Sequence, residues 1–225
     1  MTTTGPNLPG TAADDSAVGS AAWFSPNDGK TDNGIETANL DIFSGQTTHY
    51  LKMTNFGFAI ADTQIDGIQV LVQRRSLIGV VKDSVVKLVV GGSVVGSNKA
   101  DSGTNWPGSV TDKTYGGPAD LWGLTPSVAD VNGATFGMVV SAVWVSGSGK
   151  TSRAVGAIDY ISITVTSSSG GAAGQPTTKR FGGVPFMGAH GSGLQAPVRQ
   201  WIRRASGLMT PQTTTRIWRP ANGVN

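Results

Sequence analysis

The segment YGGPADLWGLTPSVADVNGATFGMVVSAVWVSGSGKTSRAVGAIDYISITVT, residues 115–166, decides the fold class. It predicts two long apolar strands, over 135–145 and 153–166, joined by a Ser/Gly-rich turn. A short capped element, TPSVADVN, leads into them. In the first strand the even positions are Phe136, Met138, Val140, Ala142 and Trp144, while Val139, Val143 and Val145 partly fill the other face. In the second, Ile161, Ile163 and Val165 alternate with Tyr160, Ser162 and Thr164. A period of two marks strands rather than helices, and apolar residues on alternating positions suit a packed sandwich.

Working outward, further strands are expected over 37–43, 49–58, 65–77, 84–90 and 121–124, with AAWF at 21–24 as a first strand. Ile68, Val70 and Val72 share one face in one of these strands. Val86, Leu88 and Val90 do so in another, with Lys87 outward. Eight strands over roughly 145 residues exceed a short seven-stranded immunoglobulin domain, and an antiparallel jelly-roll β-sandwich fits better. Residues 91–117 read as a long polar loop. Residues 1–20 have little to bury and read as a flexible N-terminal arm. The body then covers 21–166, and SSSGGAAG within 167–175 is a flexible linker. Residues 176–225 form a mostly extended docking tail. Within it, Val198, Trp201, Ile202 and Ala205 carry helical spacing and predict one short amphipathic helix over 196–206. At about 11 residues that helix is too short to persist without a surface to dock on.

The low charged fraction, 14%, with 32 glycines among 225 residues suits β-structure with long loops. There is no Cys, so disulfides and thiolate metal sites are excluded. No apolar run reaches the ~20 residues that span a bilayer as a helix. MTTTGPNLPG lacks the basic and apolar regions of a signal peptide, so a cytoplasmic compartment, at least during assembly, is expected. Charge is divided unevenly. Residues 1–175 hold all 14 acidic residues against 10 basic ones, a net −4, whereas 176–225 hold 7 basic residues and no acid. A basic tail on an acidic body points to an acidic partner.

Few motifs suggest catalysis. SGSGKTS at 146–152 resembles part of a phosphate loop, but Trp144 occupies the first glycine position and a strand follows, so a hairpin loop is the better account. His49 and His190 lack triad partners in sequence, and Glu36 is the only Glu. Asp28, Asp32 and Asn33 offer oxygen ligands for calcium but also explain a turn, and whether calcium binds near Asp28 and Asp32 stays open. Trp106, Tyr115 and Trp122 are candidate glycan contacts, with burial an equal alternative. In the tail, Phe181, Phe186, Trp201 and Trp218 are interleaved with Lys179, Arg180, Arg199, Arg203, Arg204, Arg216 and Arg219. Such composition serves single-stranded nucleic acid or a protein interface, and the apolar content favours the interface. Its anchors are Phe181, Phe186, Val198, Trp201, Ile202 and Trp218, with Arg199, Arg203 and Arg204 facing acidic partner surface.

Seven strings follow one another along the body: NFGFAI at 55–60, IDGIQVLVQR at 65–74, DSVVKLVVGG at 83–92, SNKA at 97–100, YGGPADLWG at 115–123, ADVNGATFG at 129–137 and AIDYISITV at 157–165. Taken in order, they resemble a jelly-roll domain of structural proteins in tailed bacteriophages and related particles. KRFGGVPFM at 179–187 resembles short segments of other phage structural proteins. The resemblance implies a non-enzymatic virion component without cofactor: a capsid decoration or spike, or a neck or tail fibre subunit. It implies a homotrimer or other closed oligomer, docked on a neighbouring capsid, portal, neck or tail protein. The alternative is a lectin-like adhesin that recognises host surface glycans.

Overall fold

The computed structural model describes residues 1–148 and 152–169, and the backbone of residues 201–203 and 209–211. The chain divides into two units, Met1–Pro176 and Thr177–Asn225. Among its described residues the first unit is all-β apart from one helical turn at Pro26–Gly29 and the short helix α1, Val128–Asn132. Its strands are β1 (Thr2–Asn7), β2 (Thr11–Asp15), β3 (Trp23–Phe24), β4 (Thr37–Asn39), β5 (Tyr50–Thr54) and β6 (Gln64–Ile78). They continue as β7 (Val80–Val90), β8 (Ser93–Val95), β9 (Thr111–Gly117), β10 (Gly137–Ser146) and β11 (Val155–Ser168). The first sheet has the order β3-β4-β11-β6-β9, with β1 beside the far end of β11. The second has the order β2-β5-β10-β7-β8. Every ladder in both sheets is antiparallel.

The alternating residues meet in one core between the sheets. Phe136, Met138, Val140, Ile161, Ile163 and Val165 are fully buried there, as their spacing predicted. Ile68, Val70, Val72, Val86 and Leu88 join them, and Val90 packs against the cluster from a half-buried position. α1 begins at Ser127, whose hydroxyl accepts from the Asp130 N–H while Asp130 accepts from the Ser127 N–H. This reciprocal cap lets a five-residue helix form in TPSVADVN.

Several expectations need correction. β10 and β11 are not the two arms of a hairpin, because they lie in opposite sheets. Both strands are buried on both faces over much of their length, so each takes the centre of its own sheet. The Ser/Gly-rich segment therefore crosses from one sheet to the other. It is pinned where the Ser148 N–H donates to the Arg153 carbonyl (2.9 Å) and the Trp144 indole to the Ser152 carbonyl (3.1 Å). The β6–β7 crossing is tighter, with only Gly79 between the strands. Gly79 has φ +60°, and a Cβ there would meet the Arg153 and Ser146 carbonyl oxygens at 2.7 Å, so only glycine fits.

The N-terminal 20 residues are not a flexible arm. β1 pairs with β11 and β2 with β5, so the first 15 residues add a strand to each sheet. Backbone pairing needs no apolar side chains, which is why composition concealed it. The body accordingly includes β1 and β2 rather than starting at Ala21. At the other end β11 runs through Ser167 and Ser168, into the segment expected to be linker. Ser167 and Ser169 both donate to the Asp62 carboxylate, at 2.8 and 2.7 Å, which fixes that end of the strand. Residues 170–175 lie outside the described residues.

The polar segment 91–117 contains β9, an edge strand hidden from the periodicity because Tyr115 is its one buried side chain. Residues 121–124 form turns instead of a strand, with Trp122 at φ +58° and the Leu124 N–H donating to the Leu121 carbonyl. In the second unit, β12 (Trp201–Arg203) pairs antiparallel with β13 (Met209–Pro211). The helix expected over 196–206 is therefore corrected at 201–203, where an aromatic and a β-branched residue favour extended backbone. The rest of that span lies outside the described residues.

Val140 is fully buried on the central strand of the second sheet. Val140→Asp would bury an unpaired carboxylate at a cost of several kcal/mol. The expected outcome is loss of soluble, folded protein, checked by soluble yield and far-ultraviolet circular dichroism.

Candidate functional site

Arg74 follows Val72 on the inward face of β6, so its charge is aimed at the core. A buried guanidinium must be paired. Its partner is Asp83 on β7, in the opposite sheet. The Arg74 Nη1 donates to Asp83 Oδ1, and the Trp106 indole donates to the same oxygen at 2.7 Å. The Tyr115 hydroxyl and the Asp101 N–H both donate to Asp83 Oδ2 at 2.8 Å. The guanidinium carbon stands 4.9 Å from the Trp106 ring centre and 5.6 Å from that of Tyr115. Arg74 is 2% exposed and Asp83 1%. Burial pushes the Tyr115 hydroxyl well above its usual range, so it stays a donor. Burial also pulls Arg74 below its usual value, opposed by Tyr115 and Asp101 nearby. Gly156 makes room for this node, since a Cβ there would lie 2.8 Å from the Trp106 ring. With every carboxylate lone-pair direction engaged and solvent excluded, the node ties sheet to sheet and holds the segment that contains Trp106.

The same geometry corrects the expected glycan platform. Trp106, Tyr115 and Trp122 are 2%, 4% and 0% exposed. Trp122 donates its indole N–H to the Ile68 carbonyl at 2.9 Å. All three aromatic faces belong to the core, because each ring has both a packed body and a satisfied polar tip. None is available to stack on a sugar. Sequence reasoning missed the node itself. Its one signal was Arg74, two residues after the inward Val72; Asp83 is out of phase with Val86 and Leu88, because a register shift against β10 between Ser141 and Ala142 turns it into the core.

Other candidates have structural partners. His49 Nδ1 pairs with Asp14 Oδ2 at 2.8 Å, and Asp14 Oδ1 accepts the Trp23 N–H at 2.8 Å, so Asp14 joins β2 to β3 and to the residue just before β5. Glu36 takes two donors from Arg75. Asn33 Oδ1 accepts the Ile35 N–H at 2.9 Å, the turn its composition suggested. Among the described residues, no group of three His, Asp or Glu side chains is placed to hold a metal ion. A cavity of about 290 Å³ opens between β8 and α1, lined by Val90, Val95, Leu124, Thr125, Pro126 and Asp130. The Asp130 carboxylate at its rim is held below its usual range, first by the Ser127 hydroxyl. Lys150, His190, Phe181, Phe186, Val198, Arg199, Arg204 and Trp218 lie outside the described residues. Trp201, Ile202 and Arg203 are described as the backbone of β12 alone.

No family model, curated protein or solved structure matches this chain.

Two outcomes follow from this geometry. Asp83→Ala leaves Arg74 buried without its counter-ion and orphans the Trp106 and Tyr115 donors. It is expected to cost about 3–5 kcal/mol, read from urea unfolding midpoints. An apolar exchange of both charged partners, Arg74→Met with Asp83→Leu, is expected to cost less than the single change, because no charge is stranded.

Acid is expected to destabilise the body. Asp101 is held below its usual range by Lys113 and Thr104, Asp120 by Lys99, Asp130 by Ser127, and Asp62 by Ser169 and Ser167. A carboxyl depressed by folding stabilises fully above its unfolded pKa of about 4 and loses that contribution as pH falls through the folded value. The urea midpoint is therefore expected to hold steady above about pH 5 and to fall progressively below about pH 4.

Proposed function

We propose that this chain is a non-enzymatic structural component of a bacteriophage virion: a surface appendage with a jelly-roll body that forms a symmetric oligomer and docks through its C-terminal tail. The observation that carries the proposal is the strand order. The eight strands from β4 to β11 fall into two sets of four, β4-β11-β6-β9 and β5-β10-β7-β8. The last two strands sit inside the two sheets, each between an early strand and a middle one. This order supports the jelly-roll reading, a double-sheet fold common in viral capsid proteins. The ordered strings that resemble phage structural domains lie on these strands and their connections. The charge division adds to this, with a net −4 through residue 175 and seven basic residues without an acid beyond it. A tail of that composition suits an acidic surface on a neighbouring virion protein and steers the encounter.

The glycan-binding alternative has lost the three aromatic residues it was built on, since all are buried. Nothing else in the described residues favours it.

Cutting the chain after Gly174 tests the docking step. The expected product is a soluble, folded body that fails to join the particle, measured by co-sedimentation with particles and by mass spectrometry of the purified virions. Normal incorporation of the truncated chain overturns the role of the tail. ATP turnover abolished by Lys150→Ala would overturn the non-enzymatic assignment. Steeply salt-dependent binding of single-stranded DNA, lost with the tail, would replace a protein partner by nucleic acid.

A further inference from the structure

An asparagine that precedes glycine can react with its own backbone. The glycine nitrogen attacks the side-chain amide carbon, and the missing Cβ leaves that approach open. A fold speeds or blocks the reaction through three atoms: the nitrogen, its proton and the side-chain carbonyl oxygen. The described residues contain two such pairs, Asn33–Gly34 and Asn132–Gly133. The structure treats them in opposite ways.

At Asn33–Gly34 each atom has a partner of the right kind. The Gly34 N–H donates to the Asp159 carboxylate, whose Oδ1 and Oδ2 both stand 3.1 Å from the nitrogen. That is within the reach a general base needs to take a proton. Asp159 is 3% exposed, so water competes little for its oxygens. It sits where β11 breaks register with β6, between Ile158 and Ile161. The Asn33 Oδ1 accepts the Ile35 N–H at 2.9 Å, the distance at which a backbone donor stabilises a developing oxyanion. The same bond curls the Asn33 side chain back toward the backbone of residues 34 and 35. Residues 31–35 are exposed, and a Cβ on Gly34 would meet nothing within 4 Å, so a five-membered ring has room to close.

At Asn132–Gly133 the same dipeptide is locked. Asn132 Oδ1 accepts the Ile60 N–H at 2.9 Å, and Asn132 Nδ2 donates to the Ile60 carbonyl at 3.0 Å. The amide is thus held on residue 60 by both its ends. The Gly133 N–H donates to the Asp130 carbonyl at 3.2 Å, a neutral acceptor that cannot take the proton.

We propose that Asn33–Gly34 is a self-modification site, with Asp159 as its general base and the Ile35 N–H as its oxyanion donor. The Gly34 nitrogen forms a bond to Asn33 Cγ while its proton passes to Asp159. The tetrahedral intermediate then breaks the Cγ–Nδ2 bond, and Nδ2 takes that proton from Asp159 and leaves as ammonia. The product is a succinimide between residues 33 and 34, which water opens to aspartate or isoaspartate. No oxidant, reductant or cofactor enters the balance. Either acid adds one negative charge beside Asp32, on a body already at net −4. The isoaspartate form also lengthens the main chain by one carbon in the loop that covers Asp159. This chemistry is independent of the virion role proposed above.

The test incubates the folded full chain in neutral buffer and follows both asparagines by peptide mass mapping, with isoaspartate resolved by electron-transfer fragmentation. A urea-unfolded sample gives the rate of the bare dipeptide, the same for both pairs. In the folded chain Asn33 is expected to convert at least about tenfold faster than Asn132, and no slower than it does in urea. Asp159→Asn keeps the shape of the side chain and removes the base. It is expected to slow conversion at Asn33 at least about tenfold, with the urea midpoint checking that the variant is folded. Equal folded-state rates at the two pairs, or an Asn33 that reacts more slowly folded than unfolded, overturns the site. An undiminished rate in folded Asp159→Asn overturns the base. Should that variant fail to fold, the folded and unfolded rates of the unaltered chain decide by themselves.

Discussion

The body depends on one buried ion pair that spans its two sheets. Hydrophobic contact alone would hold the sheets together without fixing their alignment, because apolar side chains attract without direction. Arg74 and Asp83 supply direction. Each sits on a different sheet, and the Asp83 carboxylate collects four donors from β6, β9 and the segment between β8 and β9. A shift of either sheet by one residue would strand a charge in the core, which costs far more than a repacked methyl group. The long polar segment 91–117 is ordered for the same reason, since Trp106 and Asp101 are drawn to the node from it.

The chain also manages its sheet edges. β10 and β11 take central places, where both faces are covered, and the polar or very short strands lie outside them. β9 has a single buried side chain, and β3 and β8 have two and three residues. Short, polar edges resist uncontrolled pairing with other chains. β1 and β2 close further positions with little apolar payload, so the N-terminal residues act as staples across both sheets.

Against that background Phe24 and Leu40 stand out, as large apolar side chains left exposed at one end of the first sheet.

The sequence by itself determined the strands with strong alternation and the core they share. Phe136, Met138, Val140, Ile161, Ile163 and Val165 could be named in advance because a period of two reports burial directly. It determined the cap of α1, since Ser127 and Asp130 act within one helical turn, and it determined the division of charge between body and tail. Tertiary structure alone decided which strands share a sheet. Pairing joins residues such as Thr2 and Ser167, far apart in sequence, and the backbone groups that make those bonds are the same in every residue. It also decided the fate of Trp106, Tyr115 and Trp122. An aromatic ring with a polar tip suits a sugar platform and a buried node equally well, and only the position of Asp83 across the core, with the Ile68 carbonyl beneath Trp122, selects between them.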